Sequence, residues 1–181
     1  QTGRRGNVAT ALILYVLAFA VFSLNFLFRG FSFSVRSLDN TSPFYVLMMF
    51  FLPVGLFVIS SYMVSEISDG KGRFKTMLIG MAYSLTPFIC LLPFLTLLTH
   101  LLTLNEAFLV SLGTGIVYVW TGALLVIGLR ELHDYEFHQA LINIILALFL
   151  MVIIIFVCSL VGMFWDRVVD MIASIMKEVK Y

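Results

Sequence analysis

The chain consists of long apolar runs separated by short polar connections. Five of these runs reach or approach the roughly 20 residues that a helix needs to cross the hydrocarbon core of a bilayer. None shows the alternation of polar and apolar residues that barrel strands require, so helices are expected throughout. The runs are Val8 to Phe28, Phe44 to Val64, Thr76 to Leu102, Phe108 to Leu129 and Leu141 to Met163. The pattern predicts an all-α fold, a polytopic membrane helical bundle with five transmembrane helices in residues 1–163.

Beyond the fifth run, residues 164–181 follow the pattern of a C-terminal amphipathic helix. Its apolar stripe consists of Trp165, Val168, Ile172, Ile175 and Val179, and the charged residues opposite are Asp166, Arg167, Asp170, Lys177 and Glu178. We expect this helix to lie in the membrane interface. Continuation of the fifth helix and binding to a partner are the two alternatives.

The overall composition agrees with a membrane protein. Hydrophobic residues make up 61% of the chain and charged residues 12%, against about half and a quarter in soluble proteins. The first run is longer than the apolar region of a secretory signal, so we expect it to be retained as a span. Cys90 and Cys158 fall inside apolar runs at different depths, which predicts unpaired, buried thiols rather than a disulfide.

The distribution of Lys and Arg predicts the orientation in the membrane. If the N-terminus is cytoplasmic, the inner loops hold Arg4, Arg5, Lys71, Arg73, Lys75 and Arg130, and the outer loops hold Arg29 and Arg36. Lys and Arg are concentrated in the cytoplasmic loops of membrane proteins. We therefore expect a cytoplasmic N-terminus and an external C-terminus in the cell membrane.

Two connections concentrate charged residues on the predicted cytoplasmic side. They read SEISDGKGRFK, Ser65 to Lys75, and ELHDYEFH, Glu131 to His138, and we call them together the charged rim. A metal site is one interpretation, because Asp134 and His138 would share a helix face that Asp69 could approach. The residue order matches no established ligand spacing, and no phosphate-binding motif is complete. A solvated contact surface without metal or cofactor is the preferred interpretation.

Polar residues inside the runs are few and uncharged. None of the five runs carries Asp, Glu, Lys or Arg in its middle, which argues against an ion-coupled transporter. His100, near the outer end of the third run, is expected to reach lipid headgroups or Glu106. Helix kinks are predicted at Pro53, Pro87 and Pro93, because each proline removes a helical hydrogen bond.

Small residues and a further proline predict how the helices begin and pack. Pro43 suits the first turn of the second span, where a missing N–H costs nothing. Gly80 with Ser84, and Ser111 with Gly115, are pairs of small residues four apart. Such pairs let helix backbones approach closely in a membrane.

The order of these features resembles the Yip1 domain family. The resemblance rests on the segments DGKGRF, AYSLTPFICLLPF and GLRELHDYEFHQAL, and in them on Asp69, Gly70, Gly72, Phe74, Tyr83, Pro87, Gly128, His133 and Ala140. It implies five spans and a cytosolic N-terminus. Eukaryotic members are associated with small Rab-type GTPases and with vesicle traffic between the endoplasmic reticulum and the Golgi, which implies a Golgi or endoplasmic reticulum membrane if the protein is eukaryotic. They also carry a substantial cytosolic N-terminal region. The short segment before the first span here is more similar to bacterial members.

The function expected from these observations is that of a noncatalytic scaffold or auxiliary subunit. Its predicted contact residues on the charged rim are Asp69, Lys71, Arg73, Glu131, His133, Asp134 and Glu136. The expected partners are the lipid bilayer and a membrane protein or a second copy, not nucleic acid; a small GTPase is implied by the resemblance alone. A small transporter or lipid-handling protein, with a neutral path beside the third span, and a metal-dependent membrane enzyme are the alternatives.

Overall fold

The chain folds as an all-α bundle. The computed structural model describes residues 7–28, 42–68 and 73–179, and no strand is present among them. The helices are α1 (Val8–Phe28), α2 (Pro43–Ile67), α3 (Phe74–Ser84), α4 (Thr86–Leu101), α5 (Ala107–His133) and α6 (Phe137–Val179), with a 3-10 turn (Leu104–Glu106) before α5. In this part of the chain, five helical segments are long and apolar enough to cross a membrane, the third being α3 and α4 together. The predicted fold class is confirmed.

A local sequence signal starts α2. The Ser42 side-chain oxygen accepts a hydrogen bond from the Tyr45 N–H at 3.2 Å, which makes Ser42 the N-cap. Pro43 occupies the first turn, as the sequence predicts. Pro53 lies inside the same helix.

The third span is broken near its middle. Leu85, with ψ near 0°, separates α3 from α4, and it is buried. Pro87 is the second residue of α4, so the structure places it in a first helical turn rather than in the helix interior that the apolar run suggests. Pro87 supplies no N–H to the Tyr83 carbonyl. The Leu85 N–H and the Thr86 hydroxyl are directed to that carbonyl instead, the hydroxyl at 2.6 Å. Pro93 lies inside α4.

The central core surrounds this break. Its buried residues are Ala11, Tyr15, Ala18 and Val21 of α1, Phe50 of α2, Ala82, Leu85, Phe88 and Leu92 of the third span, and Val117 of α5. The Tyr15 hydroxyl also donates a hydrogen bond to the Leu78 carbonyl at 2.9 Å. Helix α1 is thus packed directly against both halves of the broken span.

Close helix approach occurs at one of the two predicted pairs of small residues. A Cβ atom added to Gly80 would meet the Leu132 side chain of α5, and one added to Gly128 would lie 3.5 Å from the Ser84 hydroxyl. This confirms the approach expected at Gly80 and Ser84. Gly115 is exposed with nothing within 4 Å, so that pair faces away from the bundle.

Helix α6 is one unbroken helix of 43 residues. Its first part packs against α2 and α5, with Ala140, Asn143 and Ala147 buried. The C-terminal stretch continues this helix instead of forming the separate interfacial helix that we expected from the sequence. No proline interrupts residues 137–179, so no local signal stops the helix at the end of the apolar run.

The two cysteines are unpaired, as expected. Both side chains are exposed on the outside of the bundle, whereas the sequence interpretation placed them in its interior. The difference has a physical reason. Lipid tails are as apolar as a protein core, so hydropathy does not separate the lipid-facing side of a span from the packed side.

Candidate functional site

The two connections of the charged rim are neighbours at one end of the bundle. The Ser68 hydroxyl, just after α2, donates a hydrogen bond to the Asn143 side-chain oxygen of α6 at 3.2 Å. Near the other connection, Leu132 of α5 lies against Gly80 of α3. The end of α2, the start of α3, the end of α5 and the start of α6 therefore meet on one surface.

A tightly hydrogen-bonded turn joins α5 to α6. Asp134 adopts the left-handed conformation, with φ 54° and ψ 36°, and its N–H donates to the Arg130 carbonyl. The Tyr135 N–H donates to the same carbonyl at 3.1 Å. The Glu136 N–H donates to the Gln139 side-chain oxygen at 3.2 Å, as in a capping box. These bonds fix the direction in which the charged residues of the turn leave the backbone.

The predicted contact residues fall into three groups. Four of them are exposed on this surface, namely Arg73, Glu131, Asp134 and Glu136. Asp69 and Lys71 lie outside the described residues. His133 is buried.

His133 differs from the expectation of a solvent-facing contact residue. Only 2% of its surface is exposed. Its ring is stacked on that of Tyr135, with centroids 5.1 Å apart and an interplanar angle of 9°. His133 therefore packs the end of α5 against the turn, and it supports the exposed residues rather than presenting a contact of its own.

Further charged residues on the charged rim or directly beside it were not among those predicted to make contacts. Glu66, Lys75 and Arg130 are all exposed next to the predicted set. Arg130 contributed to the predicted orientation, and Glu66 and Lys75 belong to the connection Ser65 to Lys75. All three lie next to predicted contact residues in the sequence, and this proximity could have identified them as contact residues as well.

The rim does not assemble a metal site among the described residues. No group of three His, Cys, Asp or Glu side chains in that part of the chain could hold a metal ion. Asp134 and His138, the two ligands suggested by spacing, thus gain no third described ligand. Asp69, the third ligand considered, lies outside the described residues.

A groove opens between α1 and α4, away from the rim. It has a volume of about 410 Å³ and is lined by Leu24, Phe28, Pro93, Thr96, Leu97 and His100. The lining is almost entirely apolar. Because Leu97 and His100 are exposed, the groove is open at the side of the bundle.

A small network of polar side chains lies beside this groove and includes two of its lining residues, Thr96 and His100. The Asn25 side-chain amide donates to the Thr96 hydroxyl at 2.7 Å. His100 Nδ1 lies 3.1 Å from the Thr96 carbonyl oxygen. Of the two partners expected for His100, Glu106 is instead bonded to Thr103, whose N–H and hydroxyl lie 3.0 and 3.2 Å from its carboxylate.

Comparison with known protein families gives one match, which covers most of the chain. The family model of the Yip1 domain matches residues 2–159, a range that contains α1 to α5, both connections of the charged rim and most of the apolar part of α6. No curated protein and no solved structure matches the chain. Because the match covers most of the sequence, this multi-pass membrane protein belongs to the Yip1 domain family.

Proposed function

We propose that the protein is a noncatalytic membrane scaffold or auxiliary subunit that binds a protein partner through its charged rim. One observation carries the proposal: exposed side chains of both signs lie together on one surface, while the middles of the five apolar runs carry no Asp, Glu, Lys or Arg. The exposed residues concerned are Glu66, Arg73, Lys75, Arg130, Glu131, Asp134 and Glu136. Complementary charge on a partner gives specificity and a faster association rate.

The geometry of the rim also supports binding rather than simple solvation. The Ser68–Asn143 hydrogen bond and the contact of Leu132 with Gly80 tie the two connections to the helices beneath them. The rings of His133 and Tyr135 stack on each other within the second connection. A surface that is ordered before binding loses less conformational entropy when a partner docks.

The test reverses exposed charges of the rim and measures what co-purifies in mild detergent. We expect Arg73→Glu with Glu131→Lys to remove most of the bound partner, because both side chains are exposed and neither has a packing role. The matched control is Arg167→Glu with Asp170→Lys, which reverses two exposed charges on α6. An unchanged set of co-purified proteins in the rim variant would contradict the proposal.

The groove favours a second candidate function, the handling of lipid along a neutral path beside the third span. Its apolar lining suits an acyl chain, and the polar atoms of Thr96 and His100 lie at its edge. The absence of charged residues in the middle of the spans agrees with a neutral substrate.

Reconstitution in vesicles separates this candidate from the scaffold. We expect lipid transfer between the leaflets that decreases in Pro93→Ala and Leu97→Trp, since both residues line the groove. Pro53→Ala, in α2 and outside the groove lining, is the matched proline control. Transfer equal to that of protein-free vesicles would exclude the lipid-handling candidate and leave the scaffold proposal unaffected.

A further inference from the structure

The second half of α6 carries an apolar stripe with a regular repeat. Its residues are separated alternately by three and four positions: Cys158, Val161, Trp165, Val168, Ile172 and Ile175. This spacing is the heptad pattern of helices that supercoil around each other. Towards the N-terminus the same register reaches Met151 and Ala147.

The N-terminal part of the stripe already forms a helix interface within the chain. Ala147 is fully buried with Phe57 and Val64 of α2, and Met151 packs against that cluster. From residue 152 to 176, every side chain that is described is exposed, except for the partly covered Ile154 and Val168. The stripe therefore continues a helix-packing face beyond the end of its intramolecular partner.

The length of α6 carries part of this face out of the bilayer. At 1.5 Å per residue its 43 residues extend about 64 Å, roughly twice the thickness of the hydrocarbon core. A continuous helix that crosses the membrane cannot also lie flat on its surface. Because the apolar run ends at Met163, this length implies that Trp165, Ile172 and Ile175, with 67%, 48% and 52% of their surfaces exposed, extend past the hydrocarbon core.

The chemistry of the stripe fits a second copy of the same chain. Copies inserted in one membrane have the same orientation, so their α6 helices meet in parallel and in register. The charged Asp166, Arg167 and Asp170 lie away from the stripe, and its flanking residues Val169 and Met171 are uncharged. Two identical helices therefore bring no like charges together at the seam.

We propose that two copies of this chain associate through α6 beyond residue 152, and that they form a parallel two-helix coiled coil along this stripe. The arrangement is closed by a two-fold axis along the membrane normal, as in most dimers. It leaves the charged rim of each copy free for the partner proposed above.

The test uses single cysteines in native membranes of a Cys90→Ser, Cys158→Ser background, with a short thiol-to-thiol crosslinker. We expect Val168→Cys and Ile172→Cys to give at least about fivefold more crosslinked dimer than Asp170→Cys and Ser174→Cys, because seam positions face each other and outer positions do not. All four sites lie beyond the packed bundle, so insertion and folding of the spans are preserved.

A second measurement removes the seam without a crosslinker. We expect the dimer mass in mild detergent to become a monomer mass in Ile172→Asp and to persist in Asp170→Asn. Equal crosslinking at all four sites, crosslinks to a protein of another mass, or a monomer in the unsubstituted chain would each overturn the proposal.

Discussion

A hydrogen bond from a side-chain hydroxyl lies at the break in the third span. Pro87 has no N–H, so the Tyr83 carbonyl has lost its usual donor four residues on, and the Thr86 hydroxyl takes its place at 2.6 Å. Thr121 makes a similar bond to the Val117 carbonyl at 2.8 Å. There, however, the helix is regular and the carbonyl also accepts a backbone N–H. The Thr86 bond thus accompanies a lost backbone bond, whereas the Thr121 bond adds to one that is present.

We predict that Thr86→Val lowers the free energy of unfolding by about 1 kcal/mol, because the Tyr83 carbonyl loses the hydroxyl that bonds to it beside Pro87. Thr121→Val removes a redundant bond and is expected to cost less than about 0.5 kcal/mol. Denaturant titration of the purified protein in detergent measures both. Equal losses in the two variants would show that the Thr86 bond does not compensate for Pro87.

The turn between α5 and α6 contains the one non-glycine residue with positive φ among those described, Asp134. Asparagine, aspartate and glycine tolerate this conformation, whereas a β-branched residue does not. Asp134 thus combines a backbone requirement with an exposed carboxylate. A single substitution that removes the carboxylate without straining the backbone can separate the two roles.

We predict that Asp134→Val lowers the free energy of unfolding by about 1–2 kcal/mol through backbone strain. Asp134→Gly is expected to stay within about 0.5 kcal/mol of the original protein, because glycine adopts this φ freely. Both variants lose the carboxylate, so both should capture less partner if the rim is the binding surface. Thermal unfolding and co-purification, measured on the same samples, check the two effects separately. Full partner capture by Asp134→Gly would remove Asp134 from the proposed surface.

His133 shows which part of the site the sequence could not predict. A histidine between Glu131 and Asp134 looks solvent-facing, because its neighbours in sequence are charged. Its burial depends on the path of the turn, which brings the Tyr135 ring over it. The charges of the rim were predictable from local composition, whereas the division between exposed and supporting residues required the tertiary contacts.

At the scale of whole elements, the uninterrupted apolar runs were the most predictable features. The first run coincides with α1, because nothing within it breaks a helix. The break in the third run was not predicted, because the hydropathy of the run is continuous through Leu85. The backbone donor that is missing at Pro87 is the one local sign of the break between α3 and α4. The fifth apolar run is shorter than its helix, because charged residues from Asp166 onward end the run without stopping the helix.

The contact between α3 and α5 at Gly80 can be tested by substitution. A Cβ atom at Gly80 would overlap the terminal methyl group of Leu132, so Gly80→Val requires that side chain to move within the contact between α3 and α5. We predict a loss of about 1 kcal/mol in the free energy of unfolding, at the lower end of the cost of overpacking.

The control for this prediction is Gly115→Val. Gly115 lies in α5 with nothing within 4 Å, so the same substitution meets no neighbour there. Denaturant titration of both variants isolates the effect of contact from that of placing valine in a helix. A stability loss that is as large in Gly115→Val would refute the close-packing explanation.

For the molecule as a whole, the alternation of spans determines which connections share a surface. The turn from α2 to α3 and the turn from α5 to α6 lie two crossings apart, and the Ser68–Asn143 bond joins their bases. The connection from α4 to α5 contains Asn105 and lies one crossing away from each. The charged rim therefore requires that both connections lie on the same side of the membrane.

Labelling of single cysteines in sealed vesicles tests that hypothesis. We predict that an impermeant maleimide applied from the cytoplasmic side labels Arg73→Cys and Glu136→Cys but not Asn105→Cys, all three residues being exposed. The cytoplasmic side is expected for the first two because Lys and Arg concentrate in those loops. Labelling from the opposite side would reverse the orientation and preserve the rim. Labelling of Arg73→Cys and Glu136→Cys from different sides would be incompatible with a shared surface, and the proposed partner-binding role would fail with it.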